Sequence, residues 1–163
     1  ANMRGAHQRL RNRLGMPVML QGDGTKAALL DRFRKTPRSV LFATATFWEG
    51  VDVVGEALSH VIIDKLPFAP PDEPLVAARV EALRDRGIDP FRGYQVPAAI
   101  ISLLQGFGRL IRTRADRGIV SVLDRRLTSS GYGAMFLRSL PPARRIDDLD
   151  QLRRAWHLLR SDR

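Results

Sequence analysis

Short apolar runs alternate along the chain with longer stretches in which apolar residues return every three or four positions, a strand-and-helix rhythm. The first amphipathic stretch predicts a helix over 2–14 ended by Gly15, and PVMLQ at 17–21 then suits a short buried strand. GDGT leads into a helix over 26–33, and the β-branched run SVLFATA at 39–45 gives a second strand. HVIIDKL at 60–66 is a third. LPFAPPDEP interrupts the rhythm, because its four prolines fix φ and remove backbone donors, but Asp72 and Pro74 are start signals for a helix reaching about residue 86. After a loop over 87–95, a long helix is expected over 96–112, then the apolar strand GIVSVLD at 118–124 and two helices over 133–140 and 147–159. Strands alternating with helices predict βαβ units and a mainly parallel sheet covered on both faces, an α/β fold. The length of 163 residues suits a single domain, and neither an internal repeat nor a low-complexity tract is visible.

The long helix carries a segment that its periodicity does not explain. QGFGRLIR at 105–112 places two glycines inside a helix, where each costs about 1 kcal/mol relative to alanine. At 100° per residue Gln105, Arg109 and Arg112 project within roughly 60° of one another and form a polar stripe. Leu103, Leu104, Phe107, Leu110 and Ile111 fall on the other side, which is expected to face the sheet. Gly106 and Gly108 flank the stripe and would let a phosphate or another backbone approach the arginines. The plainer alternative is a solvated arginine face beside a tight helix contact.

Composition gives that stripe a chemical setting. The net charge is +10, and only Lys26, Lys35 and Lys65 among the 27 basic residues are lysine. Guanidinium forks suit phosphate recognition, so nucleic acid or a nucleotide is the natural partner class, although a G- and C-rich genome also raises arginine. The absence of cysteine excludes disulfides and thiolate metal sites in this chain, and His7, His60 and His157 are too scattered for a local metal motif. No stretch approaches the ~20 apolar residues of a membrane span, and ANMRGAHQRL is no secretory signal, so a cytoplasmic setting without membrane partners is expected.

Two further segments sit where chemistry often sits. GDGTK at 22–26 follows a strand and opens a helix, but a Walker A loop needs lysine directly after glycine and a hydroxyl residue after lysine. A turn in which Asp23 or Thr25 caps the helix is the expected role. FWEGVDVVGEAL at 47–58 lies at the carboxyl end of the strand over 39–45, the edge at which open α/β sheets bind ligands. Glu49 and Asp52 stand there beside Gly50 and Gly55. Thr46, Phe47 and Trp48 precede them, with core packing and stacking on single-stranded bases as the two readings of the aromatic pair.

Taken in order, EGVDVVGEAL, the strand ending in LPFAPPDEP, QGFGRLIRTRADRGIVSVLDRR and the later GYGAMFLRSLPPA resemble the motif V, motif VI and downstream pattern of XPD/DinG-type superfamily 2 DNA helicases. The similarity runs from about residue 40 to residue 142. It implies a RecA-like, three-layer α/β/α second motor domain of an ATP-dependent DNA helicase. By the same resemblance Gln105, Arg109 and Arg112 match Q-x-x-G-R-x-x-R, with Arg112 as arginine finger, Arg109 as a second γ-phosphate contact and Gly108 beside them. Gly50 and Asp52 match the motif that couples nucleotide to DNA, with Glu49 as a neighbour, and Thr46, Phe47 and Trp48 are the implied DNA contacts. The three helical side chains are expected to reach a triphosphate gripped by a neighbouring lobe, at the rim where the strands finish.

The Walker A loop, the acidic box and the cysteines of an iron–sulfur cluster are missing from this sequence. ATP and Mg²⁺ are therefore expected to be held mainly by an N-terminal, Walker-bearing motor domain, and any cluster would belong to the parent protein. The sequence looks truncated inside the second motor domain, so the fragment alone is expected to be inactive and prone to self-association. The alternative function is a non-catalytic, arginine-rich nucleic-acid-binding module with the same fold.

Overall fold

The computed structural model describes residues 2–44, 47, 58–111 and 116–161. The chain divides into two compact units, Ala1–Ser59 and His60–Arg163.

In the first unit, α1 (Asn2–Leu10) is followed by turns and by Gly15 at φ 60°, the left-handed conformation that lets the chain reverse into β1 (Val18–Leu20). Helix α2 (Lys26–Lys35) carries the chain to β2 (Val40–Phe42), which pairs with β1 in parallel, Val18 opposite Val40 and Leu20 opposite Phe42. The start of α2 is set by Thr25, whose hydroxyl accepts from Ala28 N at 3.2 Å. The expected capping role of the GDGTK segment is therefore what the geometry contains. Met19, Leu29, Leu30, Phe33 and Phe47 form the core of this unit, with Leu41, Ala43 and Leu58 packed against it.

The second unit is built on β3 (His60–Ile63) and β4 (Ile119–Val122), again a parallel pair, with His60 opposite Ile119 and Ile63 opposite Val122. Between them run α3 (Pro74–Asp85), with proline in its first turn as the sequence requires, and α4 (Val96–Leu110). The segment expected to be a loop before α4 is instead a π turn, Phe91–Gln95, in which Val96 N donates to Phe91 O. Three helices follow β4: α5 (Arg126–Ser129), which periodicity could not reveal in four residues, then α6 (Gly133–Ser139) and α7 (Leu149–Ser161). Val96, Ala99, Ile100, Leu103 and Leu110 of α4 are buried, as are Ile63, Leu66 and Phe136.

Both ends of α4 can be located against the strands. Phe91, just before the helix, stacks on Phe68, just beyond the end of β3, with centroids 5.8 Å apart and planes 13° apart. At the other end Leu110 lies against Gly118, the residue before β4 begins. Helix α4 thus runs antiparallel to β3 and β4. Its arginine-bearing end returns to the edge where β4 starts, not to the rim where the strands finish, which corrects the expected position of the stripe. A helix that connects two parallel strands must run back between them, so its last turn always precedes the second strand.

Candidate functional site

Helix α4 has a buried apolar side, and of the expected polar stripe its described residues contain Gln105 and Arg109. Leu103 and Leu110 are buried, Phe107 is half-buried and Gln105 is exposed. Arg109, one turn after Gln105, is half-buried, and its Nε is buried with no hydrogen-bond partner among the described residues. Buried guanidinium donors are ordinarily satisfied, so this donor is an exception among the described residues.

The flanking glycines separate in role. Gly108 is exposed, and a Cβ built there would meet nothing within 4 Å, so that border of the stripe is open to an incoming group. Gly106 is buried and belongs to the packed side of the helix, so it does not thin the other border as the sequence pattern suggested. The helix ends at Leu110, two residues earlier than expected, with Ile111 N donating to Phe107 O at 3.0 Å. Arg112 lies outside the described residues, as do Thr46, Trp48, Glu49, Gly50 and Asp52.

Phe47 is described, and its surroundings differ from those of a stacking platform. It is 7% exposed, belongs to the core around Met19 and Phe33, and has the Lys26 ammonium 5.3 Å above its ring. Core packing, the commoner fate of such a ring, is what the fold gives it.

At the opposite edge, where β3 and β4 finish, the sequence reading missed a side-chain clamp. The Asp124 carboxylate accepts from Leu66 N at 2.9 Å, from Arg126 N at 3.0 Å, and from the Arg126 guanidinium at 2.6 Å through Nη2 and 3.0 Å through Nε. It thereby ties the segment after β3 to the segment after β4. The Arg126 bonds, aided by that from Leu66 N, hold the Asp124 carboxyl far below the usual carboxylate range. The Arg126 guanidinium also lies 5.5 Å from the Phe68 ring, inside a nest of Phe68, Phe91, Tyr132 and Phe136. The available signal was an acid followed at once by two arginines at a strand end.

Asp124→Asn is expected to lower the chain's stability at neutral pH by about 2–3 kcal/mol, since it leaves a half-buried guanidinium without its counter-charge. Because the folded-state pKa is depressed, this contribution is present above the unfolded value near ~3.9 and fades as pH falls below it toward the folded one. Urea midpoints of wild type and variant should therefore converge below about pH 4. A gap as wide at pH 3 as at pH 7 would remove the ion pair as its cause.

Two of the three histidines take structural places. His60 Nε2 lies 2.8 Å from Ser121 Oγ across the β3–β4 pair and beside the Trp156 ring, and burial lowers its pKa from the ordinary value. His7 meets the Phe42 ring edge-on. Among the described residues no group of three or more histidines, cysteines or acids could hold a metal ion, and no helix is long and apolar enough to cross a membrane.

A family model described as the helicase C-terminal domain matches residues 1–143. The chain belongs to this helicase C-terminal domain family. Among curated relatives, the ATP-dependent DNA helicase YoaA of Haemophilus influenzae is 52% identical over 150 residues, covering 92% of this chain and 23% of that protein. The ATP-dependent helicase DinG of Mycobacterium tuberculosis is 41% identical over 156 residues, 96% of this chain and 24% of its own length. A protein named 3'-5' exonuclease DinG, from Bacillus subtilis, is 39% identical over 144 residues, 85% of this chain and 16% of its own. This helicase C-terminal domain chain therefore spans about a quarter or less of the relatives it matches, and QGFGRLIR falls inside the matched region.

Proposed function

We propose that the chain acts as the second motor lobe of an ATP-dependent DNA helicase of the DinG and YoaA kind, with a RecA-like, three-layer arrangement. In this reading Gln105, Arg109 and Arg112 face a triphosphate held by an N-terminal lobe that carries the Walker motifs. The observation that supports it most is the buried, unpartnered Nε of Arg109 on the stripe the motif defines. A half-buried guanidinium with a spare donor fits a phosphate oxygen. Nothing in the described stripe offers an oxygen ligand set for Mg²⁺, so the metal and most of the nucleotide would be held by the other lobe, and a chain with no cysteine cannot ligate an iron–sulfur cluster. When bound, ATP supplies the phosphoryl group whose transfer drives the motor. Arg112 as finger and Arg109 as second contact would stabilise the charge that builds on it, while Gln105 orients the same region.

Gly50, Asp52 and Glu49 would couple nucleotide state to the track, with Thr46 and Trp48 toward single-stranded DNA. Phe47, packed in the core around Met19 and Phe33, is not a stacking ring. The edge at which α4 ends becomes the nucleotide side: a finger donated to another lobe's nucleotide need not sit at the carboxyl rim of its own sheet. The exposed Ile62, Ile101 and Leu123 leave apolar surface that a neighbouring lobe, or a second copy of the isolated fragment, would cover. In the same reading the parent would act in the cytoplasm and in DNA repair.

The test is ATP hydrolysis by the full-length protein with and without single-stranded DNA. Hydrolysis that rises when the DNA is added is expected. Salt-dependent DNA binding without any hydrolysis would reject the motor and leave the non-catalytic binding module, which the charge of +10 favours as the second reading.

A further inference from the structure

Gly118 directly precedes β4, and a role for it beyond the proposed function rests on the reading of Arg109 given above. A Cβ at this position would lie 2.6 Å from one Leu110 methyl carbon, 2.7 Å from the other and 2.7 Å from Leu110 Cγ. Real Cβ atoms do not approach carbon that closely. The side chain concerned cannot simply swing aside, because Leu110 is 6% exposed and its Cγ, not only its tips, is in the way. No unusual φ accounts for the glycine, so the space its missing side chain leaves is what the fold uses.

Leu110 is the last residue of α4 and the neighbour of Arg109. We infer that Gly118 is a positioning residue for the arginine stripe: its bare backbone at the start of β4 is the seat into which Leu110 drops, and that seat fixes where α4 ends and hence where Arg109 is held. With alanine at 118 the end of α4 must lift away from β4 or the leucine must leave its pocket, and either change displaces Arg109 relative to the sheet. Misplacement of a catalytic group by about 1 Å is enough for a rate loss of about 10²-fold.

The experiment measures DNA-stimulated ATP turnover by the full-length protein as Gly118→Ala, Leu110→Ala and the double variant, with Arg109→Ala alongside. Gly118→Ala is expected to lower kcat about 10²-fold with KM for ATP within about twofold of wild type, because the contact it disturbs matters in the transition state and not in nucleotide capture. Adding Leu110→Ala removes the three atoms nearest the new Cβ, so the double variant should regain at least about tenfold in kcat over Gly118→Ala. A merely structural role would lower the melting temperature without this kcat-against-KM split and without rescue. Turnover of Gly118→Ala within twofold of wild type overturns the inference, as does a folded double variant no faster than the single one. Where Gly118→Ala does not accumulate as folded protein, the double variant decides alone: turnover within about tenfold of wild type upholds the seat, and turnover as low as Arg109→Ala removes it. If Arg109→Ala itself turns over normally, the reading of the stripe fails instead; if it collapses while Gly118→Ala does not, the seat alone is lost.

Discussion

Full-length protein carrying Arg109→Ala is expected to hydrolyse ATP about 10³-fold more slowly than wild type, with its nucleotide affinity only modestly weaker. Arg112→Ala should fall at least as far. The Arg109 side chain is half-buried, and its Nε is withheld from water and has no acceptor among the described residues. Such a donor is unfavourable while it lacks an acceptor and gains when an oxygen arrives, which is why the proposed function gives it a phosphate oxygen. Charge alone does not reproduce it. Arg109→Lys keeps the positive charge but presents an ammonium without the planar fork or an Nε donor, so it should regain no more than about tenfold of the lost turnover. Steady-state kcat and KM at saturating single-stranded DNA are the measurements. Full activity in the lysine variant would mean that Arg109 contributes only a diffuse field, and full activity in the alanine variant would remove it from the site.

Phe136→Ala is expected to lower the stability of the second unit by about 4 kcal/mol. The ring is fully buried, and it packs edge-on against Phe68 at 5.9 Å while also meeting Tyr132. Deleting it leaves a cavity bordered by aromatic rings that are themselves held by the stack of Phe68 on Phe91 and by Arg126, so the walls cannot collapse inward freely. For a chain of this size the loss corresponds to a melting temperature lower by roughly 8–16 °C. Calorimetry or urea denaturation of wild type and variant would measure it, and a loss under about 1 kcal/mol would mean that the nest repacks around the gap.

The parts of this fold written in local pattern were legible and the parts made by distant contacts were not. The alternation of apolar runs with amphipathic stretches located the four strands among the described residues, because parallel strands favour short β-branched runs such as HVII and IVSV. Thr25 and Pro74 marked helix starts because caps and first-turn prolines act within one turn of chain. The π turn before α4 escaped, since its justification is the Phe91 ring reaching Phe68, more than twenty residues earlier. At the site, the stripe of Gln105 and Arg109 followed from helical geometry alone. Its location did not: the expectation of a carboxyl-edge site overlooked that a helix between parallel strands ends at the amino edge of the next one. Gly106 and Phe47 went astray for a related reason, because one-dimensional spacing tells which residues share a face and not which face the rest of the chain has covered.

The π turn at Phe91–Gln95 also sets a phase. It accommodates one residue more than an α turn, so shortening the chain there by a single position would regularise the helix and swing everything downstream by about 100° relative to Phe91. With Phe91 anchored on its aromatic neighbours, Gln105 and Arg109 would then point along a different bearing. Between that anchor and the arginines, the number of residues is as much a part of the specification as their identity.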